Sequence, residues 1–270
     1  MALDGDSSSS SIDSSSSSSS SSCSSSSSCC CCCCLWLCAS LAVLGACWAA
    51  RRAQLWRRVV TPRFLAAFSK RYNRLMARTK RELFSSMDDL VLGNEKPLRV
   101  LEIGAGTGAN FEFFPPGTQV TCLDPNPHFK KYLLRAFDEN RHVTLVDTVV
   151  AHGEDMRSVP DASVDAVVCT LVMCSVREPE GVLREVIRVL RPGGKLYLLE
   201  HVVAAPDTWV RSCQQMLNPL WSYMCDGCKL ARDTARTVQA AGFSQVDIKH
   251  INAPLKFPLI NPHLVGCAVK

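Results

Sequence analysis

The stretch Val100-Leu-Glu-Ile-Gly-Ala-Gly-Thr-Gly108 decides the fold of this chain. Its first residues have the apolar, β-branched character of a buried strand, and the strand runs directly into a turn with glycines at alternate positions. A second strand is predicted over 119–123, and it ends on Asp124, twenty residues after the first glycine. Glycines let the backbone approach a ligand closely, and a carboxylate at that position can accept both hydroxyls of a ribose. The pattern therefore predicts a nucleoside-binding crevice in an α/β fold.

The acid within the first strand, Glu102, separates two classes of ligand. Dinucleotide enzymes favour G-x-G-x-x-G and hold a pyrophosphate at a helix N-terminus. Here Gly104, Gly106 and Gly108 form the tighter G-x-G-x-G. A carboxylate beside this turn repels a pyrophosphate but attracts an ammonium group. S-adenosyl-L-methionine carries an ammonium and a sulfonium, so the residues favour this cofactor over NAD.

Segments downstream alternate between strand and helix patterns. A buried strand is predicted over 163–170, an amphipathic helix over 182–190 and a fifth strand over 195–200. Arg191-Pro-Gly-Gly194 separates the last two because proline and glycine end a helix. This alternation predicts a parallel sheet that is covered by helices on both faces.

These features together resemble the class I S-adenosylmethionine-dependent methyltransferases. The resemblance implies a Rossmann-like α/β fold with a mostly parallel seven-stranded sheet. It also implies that the segment after the third strand meets the adenine, with Asp155 bonding the exocyclic amine and Met156 packing on the ring. The residues predicted to bind the cofactor are Glu102, Gly104, Ala105, Gly106, Gly108, Asp124, Pro125, Asn126, Glu154, Asp155, Met156, Cys169 and Thr170.

A narrower resemblance is carried by motifs outside the glycine turn. The chain is similar, over roughly residues 70–270, to the methyltransferase-like protein 7 group. The motifs are Lys80–Ser85, Gly108–Phe111, Thr121–Pro127, Glu139–His142, Cys169–Val176, Glu200–Val202, Asp226–Cys228 and Ala268–Lys270. That group comprises membrane-anchored thiol S-methyltransferases, which implies a small lipophilic alkyl thiol as substrate. It also implies a place on the endoplasmic reticulum membrane and lipid droplets, with the catalytic domain facing the cytosol.

Composition divides the 270 residues into four parts. Residues 1–28 are a serine-rich tract that cannot bury apolar surface and is predicted to be disordered. Residues 29–50 are predicted as an apolar membrane anchor, 51–96 as a basic amphipathic stem helix and 97–270 as the methyltransferase domain. Nine of the sixteen cysteines precede residue 50, mostly in one block, and the other seven are scattered. This distribution indicates reduced thiols rather than a disulfide scaffold.

The anchor prediction rests on length and flanking charge. Residues 29–50 contain no charge, and a helix of about 20 residues spans the hydrocarbon core of a bilayer. A cleaved signal peptide is the rival, but no basic segment precedes the apolar run. Arginines follow the run directly, so the positive-inside rule keeps the enzyme cytosolic. Contact with membrane lipid is predicted for residues 29–58, and either a span or an insertion into one leaflet fits the sequence.

The stem is predicted as a helix over 63–90, with apolar residues at steps of three and four. Eleven Lys or Arg and no acid lie between Arg51 and Arg81. This charge fits an anionic bilayer surface, whereas the aromatic pattern of a nucleic-acid groove is missing, so no nucleic acid is expected as partner. The apolar face of the same helix is suited to pack on the sheet. Separately, the protein is predicted to be a monomer.

Two histidines are candidates for the catalytic base. Methyl transfer to sulfur needs an ionised thiol, and a cysteine-like thiol has a pKa of about 8.5, so a weak base is sufficient. His201 follows the fifth strand, and His152 precedes the adenine segment; each is also compatible with a purely structural role. Cys169 with Cys174 is a poor second pair for the Cys-x-x-Cys at 225–228, and therefore no metal is predicted.

The acceptor site is predicted within residues 202–230, where apolar side chains recur at helical spacing. The same spacing fits a core or membrane-facing stripe. Two rival functions remain at this stage. One is C-methylation of a quinone- or sterol-like lipid, because Glu200–Val202 and the Arg-Pro-Gly-Gly turn also occur in such enzymes. The other is a lipid-droplet scaffold that retains the fold without catalysis.

Overall fold

The architecture is a single sheet of seven strands in the order β3-β2-β1-β4-β5-β7-β6. Neighbouring strands are parallel except β7, which is antiparallel to both β5 and β6. The order reverses between β1 and β4, and ligands of open α/β sheets bind at such a switch point. The strands are β1 Arg99–Ile103, β2 Gln119–Leu123, β3 Thr144–Val149, β4 Val164–Thr170, β5 Leu190–His201, β6 Gln245–Asn252 and β7 Pro262–Val269. The predicted seven-stranded, mostly parallel sheet is confirmed.

This computed structural model describes residues 55–92, 96–225 and 227–270, together with the isolated residues 44, 45, 48, 51 and 52. The predicted serine tract at 1–28 lies outside these residues. The predicted anchor at 29–50 also lies outside them, apart from residues 44, 45 and 48. Within the described part of the chain, no helix combines the length and the apolar character needed to cross a membrane.

Six α-helices connect or flank the strands of the described residues. They are α1 Thr61–Ser85, α2 Asp88–Leu92, α3 Lys130–Glu139, α4 Pro179–Val189, α5 Trp209–Met224 and α6 Thr234–Gln239. A π-helical turn at Trp56–Val60 precedes α1, and short 3-10 turns lie at Phe111–Phe113, Pro127–Phe129 and Pro258–Ile260. The predicted helix over 63–90 is therefore two helices, and Pro62 lies in the first turn of α1, where a proline costs no hydrogen bond.

The expected start of the fifth strand is corrected by the structure. Arg191–Gly194 was predicted as a turn before a strand at 195–200, whereas β5 already begins at Leu190. The pairing of β4 with β5 shifts between Val164 and Ala166, and this irregularity accommodates the Pro-Gly-Gly segment. Position 194 requires glycine because a Cβ there would lie 3.0 Å from the Asp165 carbonyl oxygen.

Helices cover both faces of the sheet, as predicted. Successive side chains of a strand point to opposite faces, so each strand feeds two separate cores. Val100, Val168 and Tyr197 pack on one face with residues of α1 and α3. Leu101, Val167 and Leu198 pack on the other face with residues of α4 and α6.

Helix α1 belongs to the same compact unit as the sheet, which extends over Ala53–Lys270. It buries Tyr72, Met76 and Phe84 against the sheet, and the ring of Phe84 lies 6.0 Å from that of Tyr197. Phe64, near the start of the helix, remains 65% exposed. The apolar face of the predicted stem therefore covers the sheet, while its first turns keep apolar surface in solvent.

Candidate active site

The glycine turn follows β1 in a left-handed backbone conformation. Gly104, Gly106 and Gly108 have φ angles of +61°, +51° and +72°, a region that residues with a Cβ adopt only at a cost. The backbone N–H of Gly104 donates to the carbonyl of Leu123 over 2.7 Å, which ties the turn to the end of β2. A Cβ at Gly104 would overlap the side chain of Val172, whereas one at Gly106 would meet nothing nearer than 3.7 Å. Gly106 therefore presents bare backbone to open space.

Asp124 lies at the end of β2 and holds two loops together. Its Oδ2 accepts from the backbone N–H of Gly106 over 3.0 Å, and its Oδ1 accepts from that of Asn126 over 2.8 Å. The side chain of Asn126 in turn accepts from the backbone N–H of His128. Each oxygen of a carboxylate can accept more than one hydrogen bond, and a carboxylate at the end of this strand suits the hydroxyls of a ribose.

Glu102 is buried below the turn with one oxygen unpartnered. Its Oε1 accepts from Asn110 Nδ2 over 2.8 Å, while Oε2 has no hydrogen-bond partner among the described residues. Burial raises the pKa of Glu102 to about 7, against the opposing effects of Asn110 and Lys80. An acid in this state gains a great deal from a cationic ligand group, because a neighbouring positive charge offsets the loss of hydration.

A buried lysine from α1 supports this acid, and the sequence analysis did not identify it. Lys80 Nζ donates to Asn110 Oδ1 over 2.7 Å and to Asn73 Oδ1 over 2.6 Å. Burial lowers the pKa of Lys80 to about 8, with Glu102 and Glu112 opposing that effect. The ammonium therefore fixes the amide of Asn110, which fixes Glu102. The sequence did contain a signal for this contact, because the segments of both residues, Lys80–Ser85 and Gly108–Phe111, were among the motifs of the narrower resemblance.

Three residues predicted to bind the cofactor, Glu154, Asp155 and Met156, already have protein contacts. Glu154 Oε1 accepts from the backbone N–H groups of Arg177 and Glu178 over 2.8 and 3.2 Å. Asp155 is exposed and pairs with Arg157 through two bonds of 2.7 Å. Met156 is fully buried in the core, so an aromatic ring reaches it only if its neighbours move. Their contacts with a cofactor stay predictions.

The remaining predicted cofactor residues lie around the same edge of the sheet. Thr170 ends β4, and its Oγ1 accepts from Asn110 Nδ2 over 2.9 Å. Cys169 is buried, with its Sγ 3.5 Å from Glu200 Oε1. Ala105 is buried within the turn, and Pro125 is exposed. The structure thus gathers the ends of β1, β2 and β4 at one crevice.

The two histidine candidates lie in different surroundings. His152 is exposed on the loop after β3, whereas His201 ends β5 and is 5% exposed. His201 Nε2 lies 3.0 Å from Cys228 Sγ, which also accepts from Trp221 Nε1 over 3.3 Å. Burial lowers the pKa of His201, but the contact with Cys228 and the nearby Glu200 outweigh it, so the pKa is raised. Only His201 is in a position to act within a buried site.

The crevice fits a ligand that brings an ammonium group and a ribose. The Glu102 oxygen that has no partner among the described residues suits the ammonium, the Asp124 carboxylate suits the hydroxyls, and the bare backbone at Gly106 admits close approach. A family model described as a methyltransferase domain matches residues 101–198. A solved S-adenosylmethionine-dependent methyltransferase from Thermotoga maritima has the same fold, with a TM-score of 0.52, 16% identity, and coverage of 80% of this chain and 99% of that one. Fold and crevice are those of a methyltransferase that uses S-adenosyl-L-methionine.

Proteins with similar sequences show which group of methyltransferases the chain belongs to. The human thiol S-methyltransferase TMT1A is 51% identical over 209 residues, which cover 77% of this chain and 85% of the relative. Human thiol S-methyltransferase TMT1B is 48% identical over the same shares of both chains. The chain belongs to the family of these thiol S-methyltransferases.

Proposed function

We propose that this protein is a membrane-anchored enzyme that transfers the methyl group of S-adenosyl-L-methionine to the sulfur of small lipophilic thiols. The identity of about half of the residues with the human thiol S-methyltransferases carries the choice of sulfur as acceptor. The crevice supports an active enzyme rather than a scaffold, because Glu102, Asp124 and the glycines keep a geometry that a protein without a cofactor has no reason to retain.

In this proposal Glu102 Oε2 holds the ammonium of the cofactor and Asp124 holds the ribose hydroxyls. Lys80 and Asn110 keep the Glu102 carboxylate in place, since they fix its other oxygen through the chain of hydrogen bonds described above. When bound, the cofactor supplies an electrophilic methyl group on a sulfonium sulfur. The protein aligns the acceptor sulfur with this methyl group, and such positioning contributes on the order of 7 kcal/mol or more to catalysis.

The acceptor binds at the carboxyl ends of β4 and β5, next to His201. A small thiol is only a few per cent ionised at neutral pH, so the site must favour the thiolate. We assign to His201, which is buried at this edge, the role of accepting the proton or stabilising the anion. Glu200 precedes it and receives the backbone N–H of Val172 over 2.9 Å, which fixes the end of β5 against the loop after β4.

Exposed apolar surface supports the membrane part of the proposal. Helix α5 leaves a row of large apolar side chains in solvent on one side: Trp209, Met216, Leu220, Tyr223 and Met224. A row of this kind suits the interface of a bilayer, from which a lipophilic thiol reaches the site directly. Together with the predicted anchor at 29–50, it suggests a location on the endoplasmic reticulum membrane or lipid droplets, with the catalytic domain in the cytosol.

The test is methyl transfer by the full-length protein in detergent. Methyl-labelled S-adenosyl-L-methionine is offered with a small alkyl thiol, and the product is analysed for a new S–CH₃ bond. We expect labelled thioether from the natural protein and none from Asp124→Ala, while Asp138→Ala, an exposed acid on α3, behaves as the natural protein. Cofactor binding without thioether formation would contradict the assignment of thiols as acceptors and lead to the quinone and sterol acceptors.

A further inference from the structure

Three side chains with metal-binding atoms converge beside the crevice. Cys174 lies in the loop after β4, His201 ends β5, and Cys228 follows α5. One sulfur or nitrogen atom from each lies within 4.8 Å of the other two. The sequence analysis expected no metal because it paired the cysteines with one another and did not foresee that His201 would join them.

The distances suit a tetrahedral zinc ion. With Zn–S of about 2.3 Å and Zn–N of about 2.0 Å, the ligand atoms of such a site lie about 3.5–3.8 Å apart. The observed 3.0 Å between His201 Nε2 and Cys228 Sγ and the upper bound of 4.8 Å bracket these values. Zinc sites with two cysteines and one histidine are catalytic types, in which the fourth position remains open. Cys225, the other cysteine of the Cys-x-x-Cys, is not in the group, so the cluster is not a closed four-cysteine site.

The surroundings of the cluster are polar, unlike those of cysteines that only fill a core. Trp221 Nε1 donates to Cys228 Sγ, and the Ser175 hydroxyl lies 3.4 Å from Cys174 Sγ, contacts that suit sulfur ligands carrying negative charge. His201 Nδ1, Tyr72 Oη, Glu200 Oε2 and His263 Nε2 are buried without hydrogen-bond partners in the described residues. Buried polar groups rarely remain unpaired, so these atoms indicate a place where a polar ligand or ordered water belongs.

The cluster also lies close to the glycine turn. Val172, whose side chain faces Gly104 of the glycine turn, lies two residues before Cys174. The backbone N–H of Val172 bonds to Glu200, the neighbour of His201. Val172 therefore connects the loop that carries Cys174 with both the glycine turn and the end of β5.

We propose that Cys174, His201 and Cys228 bind one zinc ion whose fourth position takes the sulfur of the acceptor thiol. The inference rests on the proposed function and adds the means by which the thiol is activated. A thiol that binds zinc loses its proton to water and remains as thiolate. Its sulfur then forms the new S–CH₃ bond while the bond between the methyl carbon and the sulfonium sulfur breaks, and that electron pair stays on S-adenosylhomocysteine. The neutral thioether is a weaker ligand and leaves. His201 acts as a ligand here, and not as a free base.

The first measurement is the metal content of the full-length protein, purified without chelators and analysed by mass spectrometry. We expect about one zinc per chain, and less than about a tenth of that in Cys174→Ser and Cys228→Ser, as for the loss of one of three ligands. Cys225→Ser is the matched control, and it should keep its zinc. Zinc-free natural protein, or zinc that depends on Cys225 but not on Cys174, overturns the inference. A disulfide between Cys174 and Cys228, detected by alkylation with and without reductant, overturns it as well.

A second measurement does not depend on how the variants fold. Cobalt replaces zinc in the natural protein, and a small alkyl thiol is added while the sulfur-to-cobalt charge-transfer absorption is recorded. An increase on addition of thiol is expected, and an unchanged spectrum overturns the open acceptor position. Removal of zinc should reduce methyl transfer to a cysteine-like thiol about 30-fold at pH 7, because only about 3% of such a thiol, with a pKa of about 8.5, is ionised there. The loss should shrink to about twofold or less at pH 9.

The two proposals fail in different ways. Thiol methylation that continues at an unchanged rate after zinc removal overturns the metal site and leaves the proposed function intact. A zinc-loaded protein whose cobalt spectrum responds to thiol but which methylates none overturns the proposed function and leaves the metal site.

Discussion

The cofactor half and the acceptor half of the site differ in where along the chain their residues come from. They also differ in how many of their buried polar atoms have hydrogen-bond partners. The cofactor half draws Glu102, Asn110 and Asp124 from one continuous stretch, and its polar atoms bond mostly to one another. The proposed acceptor half joins residues of the loop after β4, the end of β5, the start of β7 and the segment after α5, and several of its buried polar atoms have no partner among the described residues. Two exceptions cross this division: Lys80 reaches the cofactor half from α1, and Glu102 keeps one free oxygen. The cofactor half is therefore largely preformed, whereas the two proposals above have the acceptor half completed by its ligands.

The largest effect is expected from Gly104→Ala, which attacks the preformed half. The new Cβ would overlap Val172 and would also occupy a left-handed conformation. The strain and the overlap together should cost about 2–5 kcal/mol of the free energy of unfolding and weaken cofactor binding more than about 100-fold, measured by chemical denaturation and calorimetry. Gly117→Ala has the same sign of φ in open space and should cost only about 1–2 kcal/mol. Equal losses in the two variants would show that the turn is not preformed by packing.

Lys80→Met tests whether α1 supports the cofactor half through the hydrogen bond between Lys80 and Asn110. The change leaves the carbonyl oxygens of Asn73 and Asn110 without their shared donor, which should cost about 2–4 kcal/mol. Cofactor affinity should fall about 10- to 30-fold, because Asn110 no longer holds the Glu102 carboxylate. Lys70→Met on the exposed side of the same helix is the control, and denaturation and calorimetry should show it unchanged. Full affinity in Lys80→Met would mean that Asn110 is held without α1.

The unpaired oxygen of Glu102 predicts a pH dependence of cofactor binding. With a pKa of about 7, Glu102 loses its charge as the pH falls, so affinity for the ammonium of the cofactor should be about tenfold lower at pH 6 than at pH 8. Lys80, with a pKa of about 8, keeps most of its charge over much of this interval. Calorimetry on Glu102→Gln should give weak binding with a flat profile.

The raised pKa of Glu102 also predicts how the free energy of unfolding of the protein without cofactor depends on pH. Its sign is opposite to that for cofactor binding. The native state without cofactor holds the Glu102 proton up to about pH 7, while the unfolded chain releases it near the ordinary glutamate pKa of 4.5. The unfolded state therefore binds fewer protons in this interval, and the contribution of Glu102 lowers the free energy of unfolding as pH rises through it. Denaturation of the natural protein relative to Glu102→Gln should show the difference. A natural protein that gains stability over this range relative to the variant would contradict the placement of Glu102 in a dry site.

The smallest effect on folding is expected from the acceptor side at α5. Met216 and Leu220 are 72% and 58% exposed, so replacing both by lysine should change the free energy of unfolding by less than about 0.5 kcal/mol per site. If the exposed row contacts the bilayer, vesicle binding should fall severalfold and the KM for a long-chain thiol should rise, while that for a short thiol stays constant. Gln215→Lys adds charge on the same helix and is the control. An unchanged KM for both thiols would remove α5 from the route of the acceptor.

Much of the cofactor half could be predicted because its signals are local. A strand, a glycine turn and an acid at a set distance are visible in the sequence, and the parallel sheet brings their ends together. Lys80 was missed because the contact joins residues 30 positions apart, and lysine in an amphipathic helix normally indicates a solvated face. His201 was predicted as a candidate base from its position at the end of the fifth strand, and that role stays a prediction. The contact of His201 with Cys228 was not predicted, since nothing in the spacing of a Cys-x-x-Cys indicates which of its sulfurs turns inward.

The sequence by itself determined the strands at the crevice, the glycine turn and the acids beside it, because apolar, β-branched runs and the requirement for positive φ leave local marks. It also determined the family through motifs whose roles it did not explain. Only the tertiary structure decided that Lys80 supports Glu102 and that Cys174, His201 and Cys228 meet. The physical reason is that burial and long-range contact depend on how α1, α5 and the loop after β4 pack on the sheet, and no local pattern of residues records that packing.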